Sequence, residues 1–147
     1  MKIINEVSSG GVVYKKENNK TLWLVIKHKN QGHWSFPKGH IADKNKNEDA
    51  VTAALREVEE EGGVKAKIID TRPEVSEYQF KRDNSLVKKQ VFYYLMEYIL
   101  GDPNNHDNEI ETAVFLPQKD VLNLLTYEND KIIFLKCLKK YQQLKNK

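Results

Sequence analysis

Glu57, Glu60 and Glu61 stand at i, i+3 and i+4 in a run of strong helix formers, so a helix would gather three carboxylates on one face within a single turn. Glu59 would point elsewhere. Ala50 and Ala53 share the acidic face, while Val51, Leu55 and Val58 recur on the adjoining one, which puts the acids at the border of a core. Like charges at this spacing repel by about a few tenths of a kcal/mol per pair, and crowding toward the negative end of the helix dipole adds to the cost. A hard divalent cation, Mg²⁺ or Mn²⁺, would offset it, because such ions take oxygen ligands and share waters with phosphates. A solvated acidic face relieved by Arg56 and nearby lysines is the other reading, and spacing alone leaves both open.

The elements that must position this turn follow from pattern and punctuation. Val7 to Tyr14 and Thr21 to Lys27 are apolar, β-branched runs separated by polar residues, as in a hairpin. Trp34 to Phe36 forms a short extended piece ending at Pro37, and Lys38 to His40 reads as a turn. The tract Asp43 to Asn47 suits a loop and an asparagine cap for a helix beginning near Glu48, which runs to Glu61 and is stopped by Gly62 and Gly63. Lys65 to Asp70, Glu74 to Lys81 and Leu86 to Tyr98 alternate as strands, the last two antiparallel around Asp83 to Ser85. After a polar loop from Gly101 to Asn108 come a strand at Glu111 to Leu116 and helices at Lys119 to Leu125 and Asp130 to Leu144. Strands on either side of a central helix, with a terminal amphipathic helix, predict an α+β layered fold on a mixed sheet.

Composition narrows the class. At 147 residues the chain has the size of one domain (1–147), large enough to bury a core without metal or disulfide. With 39% apolar residues and 24 basic against 21 acidic ones, pervasive disorder is excluded, and a net charge of +3 is too mild for a nucleic-acid coat protein. The single Cys137 has no internal disulfide partner and lies on a helix face as a small hydrophobe. The first residues lack the apolar run of a signal peptide and no stretch is long enough for a membrane span, so the cytoplasm is the expected compartment.

Gly39, Glu48 and the run Arg56-Glu57-Val58-Glu59-Glu60-Glu61-Gly62-Gly63-Val64 resemble the Nudix box, and Ser9 to Val13 and Val91 to Leu95 resemble the family's strands. The seven residues between Glu48 and Arg56 agree with the family spacing, whereas Gly39 and Glu48 stand three residues further apart. That surplus falls in the Asp43 to Asn47 tract, where a loop lengthens at small entropic cost. The resemblance implies an α/β/α sandwich, with helices on both sides of a mixed sheet, and hydrolysis of a nucleoside diphosphate linked to another moiety. It implies that Glu57, Glu60, Glu61 and the Gly39 carbonyl hold Mg²⁺ or Mn²⁺, with Glu48 and Arg56 in support. Glu109 resembles the acid that many members place opposite the helix as a further ligand or base, with Glu111 as its rival.

Around the box, His33-Trp34-Ser35-Phe36-Pro37-Lys38-Gly39-His40 resembles the asymmetric diadenosine tetraphosphate hydrolases, in which the residues matching His33 and Lys38 contact the phosphates. Such an enzyme gives ATP and AMP. Leu125 to Phe134 resembles bacterial members of that subgroup, which makes Tyr127 a candidate base platform, and Tyr78 is a second. Lys88 and Lys89 are candidates for distal phosphates, or else a solvated strand edge. The rival functions are pyrophosphohydrolysis of RNA 5′ ends or of modified nucleoside triphosphates and, outside enzymes, a nucleotide-binding regulator. The expected partner is a small nucleotide, with no membrane and no obligate protein.

Overall fold

The computed structural model describes residues 1–42 and 47–146, so most of the lengthened Asp43 to Asn47 tract lies outside the described residues. β1 (Lys2–Glu17) and β2 (Lys20–His28) form the expected hairpin, closed by Asn18 and Asn19 at φ 51° and 66°, the left-handed values a two-residue turn requires. β3 (Trp34–Ser35) returns along β2. Lys38–His40, predicted as a turn, is instead a short strand, β4, antiparallel to Ser8–Gly10 of β1. Its backbone is paired because Pro37, unable to donate, accepts from Gly11 N at 3.1 Å and delivers the next residues onto β1.

α1 (Ala50–Gly62) starts two residues later than expected. The cap is Asp49, not an asparagine, and its carboxylate accepts from Thr52 N at 2.8 Å. Gly63 ends the helix at φ 75°, its N–H donating to the Glu59 carbonyl, and a Cβ there would stand 2.6 Å from the Asp102 carbonyl oxygen. β5 (Val64–Ile68), β6 (Glu74–Arg82) and β7 (Ser85–Gly101) follow, then a 3₁₀ turn at Pro103–Asn105, β8 (Ile110–Pro117), α2 (Gln118–Leu124) and α3 (Glu128–Lys145).

One mixed sheet contains the eight strands of the described residues. β1 runs parallel to β7 from Lys2↔Ser85 to Tyr14↔Glu97, while β6 and β5 share the opposite edge of β7 and β8 pairs with β2. Strand alternation sends neighbouring side chains to two separate cores. Val12, Trp23, Val25, Tyr93 and Leu95 face Phe134, Cys137 and Tyr141 of α3, with Val121 of α2 in the same cluster. Val13, Leu24, Ile26, Tyr94 and Met96 face Ala54 and Val58 of α1. This is the α/β/α arrangement expected. The core stripe of α1 is centred on Ala53, Ala54 and Val58; Val51 and Leu55 are only half-buried at its margin. Among the described residues, no helix is long and apolar enough to cross a membrane.

Candidate active site

Two buried carboxylates, Glu57 and Glu61, lie one turn apart on α1 under β4. Lys38 N donates to Glu61 Oε1 at 3.0 Å, so the pairing that makes β4 a strand also ties it to the helix. Gly39 lies directly against Glu57: a Cβ there would meet the Glu57 carboxylate, its Oε2 only 1.7 Å away, so hydrogen alone fits.

Arg56 holds the acids from the side. Its Nε and Nη2 form a fork on the Glu48 carboxylate at 2.6 and 2.9 Å, Nη1 reaches Glu57 Oε1 at 3.0 Å and Glu60 Oε2 at 3.1 Å, and Nη2 also donates to the His40 carbonyl. The fork, with Ala42 N as a second donor, holds the Glu48 carboxyl below the usual range. Burial, then the hydrogen bond with Glu60 and the Glu61 charge, push Glu57 up to about 8 despite Arg56. Burial pushes Glu61 up to about 7; the Lys38 N–H and charge oppose this, and the charges of Asp107 and Glu109 reinforce it.

Glu109 is therefore close enough to act on Glu61. It sits exposed in the turn before β8, its N–H donating to Asp107 Oδ1 and its carbonyl accepting from Lys29 N. Glu111 is engaged elsewhere, 3.2 Å from Lys27. Asp107 was not foreseen; its N–H donates to the Glu60 carbonyl at 2.8 Å, which fastens the loop to the last turn of α1.

Beside the carboxylates opens a cavity of about 410 Å³. Of the expected substrate residues, His33, Lys38, Tyr78 and Tyr127 all line it. Lys88 and Lys89 do not: they line a neighbouring groove of about 620 Å³ that shares Tyr78. Lys88 is exposed, whereas Lys89 is half-buried, and burial followed by the Lys38 charge lowers its ammonium from the ordinary value. His33 stacks 4.2 Å from His28, and its ring centroid is 5.5 Å from that of Tyr127. Burial and Lys38 lower His33, and burial, His33 and Lys38 push His28 down to about 4, so the free protein holds His28 neutral at pH 7. Gln31, Ser35, Phe80, Tyr93, Asn129 and Asp130 complete the cavity and were not among the predicted residues.

The donor set matches a hard cation in chemistry rather than in ready-made geometry. Among the described residues no three acidic, histidine or cysteine side chains already converge as a metal site, and Arg56 occupies one oxygen each of Glu57 and Glu60. Yet Arg56 beside Glu57 and Lys38 beside Glu61 do not offset the burial and like-charge repulsion that raise both carboxyls to near neutrality, and a divalent cation would stabilise their ionised forms.

Comparison with known proteins agrees with the fold. A mutator protein named MutT4 from Mycobacterium tuberculosis is 28% identical over 137 residues, which is 89% of this chain; the chain spans 54% of that relative's length. The C. elegans Ap4A hydrolase superposes with a TM-score of 0.69 at 22% identity, covering 95% of this chain and 99% of that one. The E. coli dihydroneopterin triphosphate pyrophosphohydrolase gives 0.64 at 16% identity, covering 88% and 94%. Both structures are similar in fold. The NUDIX domain model matches residues 5–136, nearly the whole length from β1 into α3, and the chain belongs to the NUDIX family.

Proposed function

We propose that this chain is a metal-dependent hydrolase of dinucleoside polyphosphates, splitting diadenosine tetraphosphate with water into ATP and AMP. The supporting observation is Lys38, whose backbone N–H is bonded to Glu61 while its side chain lines the cavity shared by His33, Tyr78 and Tyr127. One residue thus joins the acidic turn to an aromatic recess in which it supplies the cationic group. The fold shared with the C. elegans Ap4A hydrolase is consistent with this substrate class.

Glu57, Glu60 and Glu61 would hold Mg²⁺ or Mn²⁺, with Glu109 and the Gly39 carbonyl as further donors. When bound, the cation neutralises the phosphate chain and acidifies a water. Lys38 and His33 take the phosphate oxygens outside the acidic turn, and an arriving anion raises the proton affinity of His33, which the free protein holds low. Tyr127 and Tyr78 offer ring faces to a base. The water's proton goes to one of the neighbouring carboxylates, Glu57, Glu60, Glu61 or Glu109. Arg56 anchors Glu57 and Glu60 to Glu48 and limits their rotamers.

A second reading is pyrophosphohydrolysis of nucleoside triphosphates, and the E. coli dihydroneopterin triphosphate pyrophosphohydrolase is similar to this chain in fold. Incubation with Mg²⁺ and, in turn, diadenosine tetraphosphate, nucleoside triphosphates, ADP-ribose and 5′-triphosphate RNA separates the two. ATP and AMP formed fastest from the tetraphosphate are expected. Pyrophosphate released from triphosphates, with the tetraphosphate intact, would replace the first reading by the second, and binding without products would make the protein a regulator.

Cation binding also has a pH signature. Glu57 and Glu61 rise from 4.5 to about 8 and 7, so the folded state binds their protons more tightly than the unfolded state. Their contribution is fully present below pH 4.5 and is lost as pH rises through 7 and 8. A divalent cation binds the ionised forms and reverses that loss. The increase in Tm caused by Mg²⁺ is therefore expected to be larger at pH 8 than at pH 6; an equal increase at both values would detach the cation from these two carboxylates.

A further inference from the structure

Ser8 lies in the middle of β1 and is wholly buried, and among the described residues its hydroxyl is the one buried side-chain polar atom without a hydrogen-bond partner. Such a group costs stability unless something pairs with it. Its neighbour Ser9 points toward α1 and donates to the Ala50 carbonyl at 2.6 Å, so Ser8 faces the other side of the sheet, the side of Tyr93 and the cavity. The register fixes what flanks it. On β4, His40 stands opposite Ser8 and Lys38 opposite Gly10; on β7, Val91 stands opposite Ser8 and Lys89 opposite Glu6. Residues two apart share a face, so Lys38 and Lys89 flank Ser8 diagonally from the strands on either side, with Ser8 midway between them. Neither lysine has an ion-pair partner among the described residues, and Glu6, the acid beside Lys89 on that face, is engaged by Arg82 at 2.9 and 3.3 Å.

We propose that Ser8 is a phosphate-binding residue of this site, its hydroxyl donating to a phosphoryl oxygen that the substrate places between Lys38 and Lys89. This rests on the reading of the cavity as the seat of a polyphosphate chain. Two unpaired ammoniums repel each other until an anion lies between them, and a hydroxyl at the midpoint supplies a third donor to the same group. In the free protein the Oγ is covered. Lys38 and Lys89 are long, flexible side chains and His40 is exposed, so an anion that draws both ammoniums toward itself uncovers the hydroxyl beneath them. The unpaired hydroxyl thus burdens the free state and is relieved in the bound one, which sets it apart from a serine that serves the fold.

The test measures Kd values for inorganic tripolyphosphate, which has no base, and for adenosine, which has no phosphate, beside the Tm of the free protein, for the wild type, Ser8→Ala and Lys38→Met. EDTA is present, so that no cation bridges the ligand to the glutamates. Ser8→Ala is expected to bind tripolyphosphate about tenfold more weakly, the loss of one hydrogen bond to a charged group, and adenosine as well as the wild type does. Its Tm is expected to equal or exceed that of the wild type, because a buried hydroxyl without a partner has been removed. A lowered Tm would show that the hydroxyl is already bonded in the free protein and would overturn the proposal. So would an unchanged affinity for tripolyphosphate, or equal weakening of both ligands, which would make the residue purely structural. Weaker binding of tripolyphosphate by Lys38→Met alone, with Ser8→Ala like the wild type, removes only the assignment to Ser8 and leaves the polyphosphate reading standing. If the wild type binds tripolyphosphate only when Mg²⁺ replaces EDTA, the lysines take no phosphate by themselves and the proposal falls while the metal reading survives. No binding under either condition would end the polyphosphate reading itself.

Discussion

Glu61→Gln is expected to lower turnover by about 10²–10⁴-fold while the fold stays intact, the range associated with removing a positioned acid or base. Glutamine keeps the Oε1 that accepts from Lys38 N at 3.0 Å, so β4 remains fastened to α1. What it lacks is the negative charge and the ability to take a proton near neutrality. The carboxyl is buried and destabilised as an anion, so Tm at pH 8 without metal is expected to equal or exceed that of the wild type. The measurement is kcat on diadenosine tetraphosphate with Mg²⁺ beside a melting curve. Near-normal turnover would take Glu61 out of the reaction; a collapsed melting curve would show that its main part is to hold the sheet.

Gly39→Ala reaches the same chemistry by packing alone. The added methyl would lie within 2.2 Å of the Glu57 carboxyl carbon and closer still to Oε2, so one of the two must move. The obstructing atoms belong to the free end of a flexible side chain rather than to backbone, so Glu57 swings away and the sheet survives. Displacing a catalytic group by about 1 Å costs on the order of 10²-fold in rate. A loss of that size is expected with β4 still paired to β1, checked by kcat and by amide exchange at Gly11 and Ile41, whose N–H groups donate across that pair to Pro37 and Val7. Full activity would mean that Glu57 functions from more than one position.

The acidic turn was legible because everything that defines it is local. Three glutamates at helical spacing, a glycine stop and a preceding cap fix one another within a few residues, and Arg56 at the start of the cluster is where a fork to Glu48 must begin. The spacing left open whether the acids face water or a site; burial of Glu57 and Glu61 decides it, and burial depends on β4. That strand was misread as a turn because three residues after a proline carry no periodicity, and their pairing partner lies thirty positions earlier, Ser8↔His40. Tyr127, nominated from resemblance, and Tyr78, nominated as a second stacking face, both line the cavity, whereas Lys88 and Lys89 fall in the adjoining groove. Ser8 gave no signal at all. A serine in an extended run looks like an ordinary strand residue, and only the lack of a partner for its buried hydroxyl in three dimensions sets it apart.

The parallel pairing of β1 with β7 has a consequence for how the molecule comes into being. Each rung joins residues about eighty positions apart, from Lys2↔Ser85 to Tyr14↔Glu97, and both hydrophobic layers hang on those two strands. During synthesis the amino-terminal ribbon must wait until the residues through Glu97 have emerged, while the glutamate helix has only the β1 and β2 half of its apolar bed, Val13, Leu24 and Ile26, to lie on. Assembly of the acidic turn is thus completed late by topology, and the nascent chain carries its negative cluster only partly covered while the residues from Gly62 to Glu97 are added.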